Sequence, residues 1–334
     1  MLRASGRTSF KEVVLTGRFH DAVRSIYTID DGQTWLTDYQ LEELLAQITS
    51  QPGSSLLAAN EAMQKLLYRT QVDKNEVTGE EYPNLKLIDF EHPERNHFVA
   101  INQFCIDTPG TGKNFIIPDI VLFVNGLPLV VVECKDQNAF TANPMHEAFK
   151  QLMRYSDQRQ ETHDAGLREG EPRLFHTNQL VIRTDGEHAE FASISATNEE
   201  YFYPWRDIYP EKYRQYTPPL SNERQQEKLI QGMLPKETLL DIIRNCIVFM
   251  DTEKTRIKVV CRYQQYRATC KIIERLRTGE TPEDRSGVIW HTQGAGKSLT
   301  IVFVIRKLRM YDDLKDFKVC RSWIQEPSVE PRRH

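Results

Sequence analysis

The sequence predicts an α/β fold: a mixed sheet flanked by helices, followed by the opening of a second lobe built on a phosphate-binding loop. Three observations carry this expectation. Apolar runs of strand length, separated by Pro, Gly and Asn, crowd into residues 85–133. Helix-period apolar residues lie on both sides of that block, and the run Gly294-Ala295-Gly296-Lys297-Ser298 stands far downstream.

Taken in order, Asp38 can cap a helix carrying Leu41, Leu44, Leu45 and Ile48. Pro52-Gly53 breaks it before a second helical run through Leu56, Leu57, Met63, Leu66 and Leu67, so residues 1–80 are expected to be helical. From about residue 85 the pattern turns to β. Leu85 to Phe90, Phe98 to Ile106, Ile116 to Val124 and Leu127 to Glu133 read as strands of a mainly antiparallel sheet. Asn143 and Pro144 form an N-cap and first-turn pair for a helix through about Gln158. Gln179 to Thr184 and Glu187 to Ile194 read as two strands joined at Asp185-Gly186. Tyr209 to Glu223, with Pro210, Pro218 and Pro219, is the best linker candidate. Three parts result: residues 1–215, a connector at 216–255, and a lobe at 256–334.

Bulk properties narrow the function. A net charge of −4 gives no global pull toward nucleic acid, so any grip on DNA must be local or shared with partner subunits. The six cysteines are scattered without a C-x-x-C pair, which argues against a disulfide framework or structural zinc. No apolar run approaches the roughly 18 residues that cross a bilayer, and Met1 to Glu12 lacks a secretory core, so a cytoplasmic protein is expected.

The chemistry concentrates between Pro118 and Lys135. Asp119 opens one strand, and Glu133 closes the next after six uncharged residues, Leu127 to Val132. Both carboxylates therefore emerge near one sheet end, with Lys135 on the face of Glu133. Two carboxylates suit Mg²⁺, and a nearby lysine suits the charge that develops on a phosphodiester under attack. Register decides whether the acids meet. A three-residue loop would pair them directly. A two-residue Asn125-Gly126 turn would set Asp119 against Val132 and require a bulge or bend near Asp119. On the following helix, Gln151 and Tyr155 share one face at i and i+4, placed to support the acids or a phosphate.

These residues are the pattern of the PD-(D/E)xK nucleases. With Leu87-Ile88-Asp89-Phe90, Asn102-Gln103-Phe104 and the turn Asn125-Gly126-Leu127-Pro128, the chain resembles the restriction subunit of type I restriction-modification enzymes over most of residues 8 to 310. The resemblance implies Asp119, Glu133 and Lys135 as catalytic residues, with Gln151 and Tyr155 supporting them. It also implies Mg²⁺ as cofactor, double-stranded DNA as substrate, and modification and specificity subunits as partners. Cutting in the intact family is coupled to ATP-driven translocation. Members of the family begin with an additional helix bearing an acidic residue before the part that matches Thr8-Ser9-Phe10.

The downstream run fits a P-loop, RecA-like motor lobe of superfamily 2, helicase-like proteins. Val288 to Trp290 supplies an apolar strand, Gly294 and Gly296 admit phosphates to backbone N–H groups, Lys297 reaches the β and γ groups, and Ser298 binds Mg²⁺ at a helix start. His291 replaces the first glycine of the strict motif. Arg262-Tyr263-Gln264-Gln265 resembles the adenine-reading glutamine motif, with Gln265 the reader. The 36 residues after Ser298 carry no second acidic motor motif, so the lobe reads as truncated, able to bind ATP but not to turn it over as a motor does. Two other readings stand beside the nuclease of a restriction complex: an ATP-independent, stand-alone nuclease, and an inactive remnant that only binds DNA or partner subunits.

Overall fold

The computed structural model describes residues 6–28, 36–50, 55–136, 142–216 and 224–314. The chain divides into two compact units, residues 1–267 and 268–334.

The first unit opens with three helices, α1 (Thr16–Ile26), α2 (Asp38–Thr49) and α3 (Leu56–Tyr68). Thr37, not Asp38, caps α2: its hydroxyl accepts from the Gln40 backbone N–H while the Gln40 side chain accepts from the Thr37 N–H. Two short strands follow, β1 (Thr70–Gln71) and β2 (Asn84–Leu85), and the strand expected through Phe90 stops at Leu85. Leu87 and Ile88 are buried all the same. Side-chain amides take their backbone groups instead of a ladder, with Asn125 Nδ2 donating to Leu87 O and Asn96 Oδ1 accepting from Asp89 N.

Next come β3 (Phe98–Asn102), β4 (Ile106–Asp107), β5 (Phe115–Ile116), β6 (Ile120–Val124) and β7 (Leu127–Cys134). After β7 the chain forms α4 (Pro144–Tyr155), the short α5 (Gln160–Asp164), β8 (Leu180–Thr184), β9 (Ala189–Ala192) and β10 (Tyr203–Pro204). The main sheet has six strands in the order β10-β9-β8-β7-β6-β3. Only β7 and β8 run parallel among its neighbours. β7 is buried along nearly its whole length, as a central strand covered on both faces must be. Asn143 caps α4 with its side chain, and Pro144 occupies the first turn, as the sequence predicts.

The three-residue loop does not form, and the alternative, a two-residue turn with a compensating bulge, is met in part. Asn125 and Gly126 form a two-residue turn with φ of 50° and 77°, a type I′ geometry, and Val124 stands opposite Leu127. A bulge between Leu122 and Phe123 then shifts the ladder, so that Leu122 faces Val130 and Ile120 faces Val132. Continued by one position, that register sets Asp119 against Glu133. The correction therefore sits in mid-hairpin rather than beside Asp119.

The expected connector is folded structure. Residues 224–260 form α6 (Gln225–Met233), α7 (Lys236–Asn245) and the hairpin β11 (Ile247–Asp251) with β12 (Arg256–Val260), all within the first unit, whose boundary lies at Arg267 rather than 255. Lys258 on β12 binds this segment to the rest. Its buried ammonium donates to Asn60 Oδ1 at 2.8 Å, Asn178 O at 2.9 Å and Gln179 Oε1 at 3.0 Å. Of the expected linker, residues 217–223 lie outside the described residues.

Helix α8 (Tyr263–Thr278) begins in the first unit and is followed by α9 (Pro282–Arg285) and α10 (Lys297–Leu308). In the second unit Phe303 and Leu308 are buried. The strand expected at Val288 to Trp290 does not form. Val288 is 90% exposed and Trp290 89%, and no neighbouring strand pairs with them among the described residues. No helix among the described residues is long and apolar enough to cross a membrane.

Candidate active site

The structure brings Asp119, Glu133, Lys135, Gln151 and Tyr155 to one end of the sheet. Asp119 stands just before β6, where its Oδ2 accepts from the Cys134 backbone N–H at 2.8 Å. That bond ties the first acid across the hairpin to the residue after the second. Glu133, 1% exposed, is the last fully buried residue of β7. Its Oε1 accepts from Lys135 Nζ, and its buried Oε2 has no hydrogen-bond partner among the described residues. Burial, aided by the charge on Asp119, pushes the Glu133 carboxyl up to about 7 against the opposing pull of Lys135. Lys135 is held through its backbone N–H, which donates to Thr184 O at 2.9 Å and so extends the parallel pairing with β8.

Gln151 and Tyr155 meet as their spacing on α4 predicts. Gln151 Nε2 donates to the Tyr155 hydroxyl at 2.7 Å, and that hydroxyl donates to the Ile117 carbonyl at 2.8 Å. The pair thus anchors the two residues leading into Asp119. Burial, with the nearby negative charge of Glu133, raises the Tyr155 pKa, so its hydroxyl keeps the proton with which it makes this bond.

The pattern of acids did not single out Gln103. Its Nε2 donates to Asp119 Oδ1 at 2.9 Å. The sequence marks it only within Asn102-Gln103-Phe104 as part of the resemblance, and its exposed place beyond a strand end gives it no role there.

Two carboxylates, one with a buried oxygen that no described residue satisfies, form a donor set suited to a hard, oxygen-seeking divalent cation. Among the described residues no cluster of three or more His, Cys, Asp or Glu side chains gathers around a common point. A cation here would keep most of its positions for water or substrate oxygens, as Mg²⁺ ordinarily does.

In the second unit, Gly294 and Gly296 take φ of 78° and 74°, and α10 starts at Lys297 as predicted. Ser298 is exposed in the first turn, and Lys297 Nζ donates to the His291 carbonyl at 2.7 Å. Gln265, in the first unit, is 3% exposed, and its Oε1 accepts from the Arg262 N–H at the start of α8.

Comparison with known proteins gives this geometry a family. Residues 2–200 match the model described as the type I restriction enzyme R protein N terminus. Residues 264–321 match that of the SWI2/SNF2 ATPase. The chain is 32% identical over 314 residues to the type I restriction enzyme HindI endonuclease subunit of Haemophilus influenzae, covering 93% of this chain and 27% of that protein. It is 24% identical over 325 residues to the putative type I restriction enzyme MjaIXP endonuclease subunit of Methanocaldococcus jannaschii, covering 90% and 28%. The chain therefore spans less than a third of the length of these relatives. With more than half of its residues matched by one family model, the chain belongs to the family of type I restriction enzyme R proteins, whose N-terminal part it contains.

Proposed function

We propose that the first unit is a PD-(D/E)xK endonuclease domain that hydrolyses phosphodiester bonds of double-stranded DNA with Mg²⁺, held by Asp119 and Glu133. The observation that carries the reading is the meeting of Asp119, Glu133 and Lys135 at one sheet end, with Glu133 Oε2 buried and unsatisfied by any described residue. A bound Mg²⁺ would supply Lewis-acid polarisation of the phosphate and a more acidic water. The protein groups divide the remaining work. The Cys134 N–H and Gln103 orient the Asp119 carboxylate. Tyr155, itself held by Gln151, fixes the chain entering Asp119. Lys135 brings a positive charge to the face where negative charge grows on the phosphate in the transition state. In the second unit, Gly294, Gly296, Lys297 and Ser298 are proposed to hold ATP phosphates with their Mg²⁺. Work within a restriction complex containing modification and specificity subunits, where cutting in the intact family is coupled to ATP-dependent translocation, completes the reading.

The test is Mg²⁺-dependent cleavage of plasmid DNA by this chain, assayed both alone and reconstituted with those subunits. Asp119→Ala, Glu133→Ala and Lys135→Ala should each lower cutting by on the order of 100-fold or more with unchanged circular dichroism. Gln151→Ala and Tyr155→Ala should lose less. Undiminished Mg²⁺-dependent cutting by Asp119→Ala would remove that acid from the site and overturn the reading.

A further inference from the structure

Gln103 adopts a backbone conformation that glutamine disfavours. Its φ is +50°, in the left-handed region that costs an L residue with a long side chain and suits Gly or Asn. The other described non-glycine residues at positive φ are Tyr82, Asn125 and Asp157, of which Asn and Asp tolerate it best. Nothing about burial demands glutamine here, because Gln103 is exposed at the end of β3. A glycine would fit the turn with less strain, so the side chain must be accounted for separately.

The contacts account for it. The Gln103 N–H donates to Asp119 O at 2.8 Å, and the next N–H, of Phe104, donates to Pro118 O at 3.0 Å. Two successive donors thereby grip the residues at the mouth of the site, which the left-handed turn makes possible. From that same turn the side chain reaches back, and Nε2 donates to Asp119 Oδ1 at 2.9 Å. With Cys134 N–H on Oδ2, both carboxylate oxygens receive one donor each from opposite neighbours, β3 and β7. The carboxylate is then fixed in rotation while each oxygen keeps a lone pair for a further partner. An amide serves this task better than a cation, since it orients the acid without neutralising it.

We propose that Gln103 is a positioning residue for the metal site, its strained backbone being tolerated so that its carboxamide can lock the Asp119 carboxylate toward Glu133. The inference rests on the proposed cation site and deepens it. Backbone strain that persists at an exposed position, next to the residues it serves, is the kind of outlier that points to function. The groups that orient a ligand typically contribute 10- to 100-fold to metal affinity.

Calorimetric titration of the metal-free chain with Mn²⁺, paired with thermal melts in EDTA, separates the alternatives. Gln103→Gly should melt higher than the parent, because the strain is relieved, yet bind Mn²⁺ about 10-fold more weakly. Gln103→Ala should lose similar affinity without the gain in melting temperature. Affinity within twofold of the parent in both variants would overturn the inference, as would a fall in melting temperature in both, which marks a purely structural role. Should Gln103→Ala fail to fold, the glycine variant decides alone. A parent chain that binds no Mn²⁺, or an Asp119→Ala chain that binds it equally well, would instead defeat the cation site itself.

Discussion

Two apolar stretches of this chain read alike in sequence and end differently. Leu127 to Val132 lies in β7, fully buried between β6 and β8. Val288 to Trp290 is likewise wholly apolar and rich in β-branched residues but forms no strand, and its first and last residues stand almost wholly exposed. Composition is therefore not what makes a strand. A parallel strand needs ladder partners on its edges and side chains over both faces, and among the described residues only the first stretch has them. The same contrast governs chemistry, because Glu133 holds its position through the strand that delivers it.

The contrast should be widest for a charge placed in each stretch. Val130→Asp puts a carboxylate at a position with no exposure, opposite Leu122 and beside Leu180, and should destabilise the first unit by about 4 kcal/mol or more. Urea unfolding followed by circular dichroism measures it, and a loss under 1 kcal/mol would mean that β7 is not the central strand described.

An intermediate effect belongs to Glu133. Its carboxyl titrates near 7 in the fold against an ordinary 4.5, so between those values the metal-free folded state keeps a proton that the unfolded chain has released. Stability must fall as pH rises through that window and level off above it. Glu133→Gln removes the penalty, and in EDTA it should stabilise the chain by roughly 2–3 kcal/mol at pH 8 with little gain at pH 4. It should also abolish Mn²⁺ binding. Equal stability differences at the two pH values would show that burial of this carboxyl is not costly.

The smallest effect is expected at Val288→Asp, within about 0.5 kcal/mol of the parent, because nothing packs on that side chain. A larger loss would reveal burial there and erase the contrast.

Much of the site was legible because its signals are local. Asp119 and Glu133 bracket an uninterrupted apolar strand, and Gln151 and Tyr155 sit one helical turn apart, so the sequence alone brings them to the same end of the sheet. What escaped depends on groups distant in sequence. The segment Leu85 to Phe90 looks like a strand until Asn96 and Asn125 take its backbone groups. Residues 216–255 look like a connector because they begin within the Pro-rich stretch Tyr209 to Glu223, whereas the hairpin at their end is fastened by Lys258, buried among three oxygen acceptors supplied from far along the chain. Gln103 was invisible as a support because a positive φ leaves no trace in composition.

The bulge between Leu122 and Phe123 makes the placement of the two acids a matter of odd and even counting. Side chains alternate across a strand, so every inserted or deleted residue between Asp119 and Glu133 changes which face the first acid occupies relative to the second. The two-residue turn alone leaves that count wrong by one, and the bulge restores it. A single-residue change in the length of this hairpin is thus a change of sign, while two changes that cancel return the acids to the same side. Variation in the hairpin is constrained by parity rather than by length.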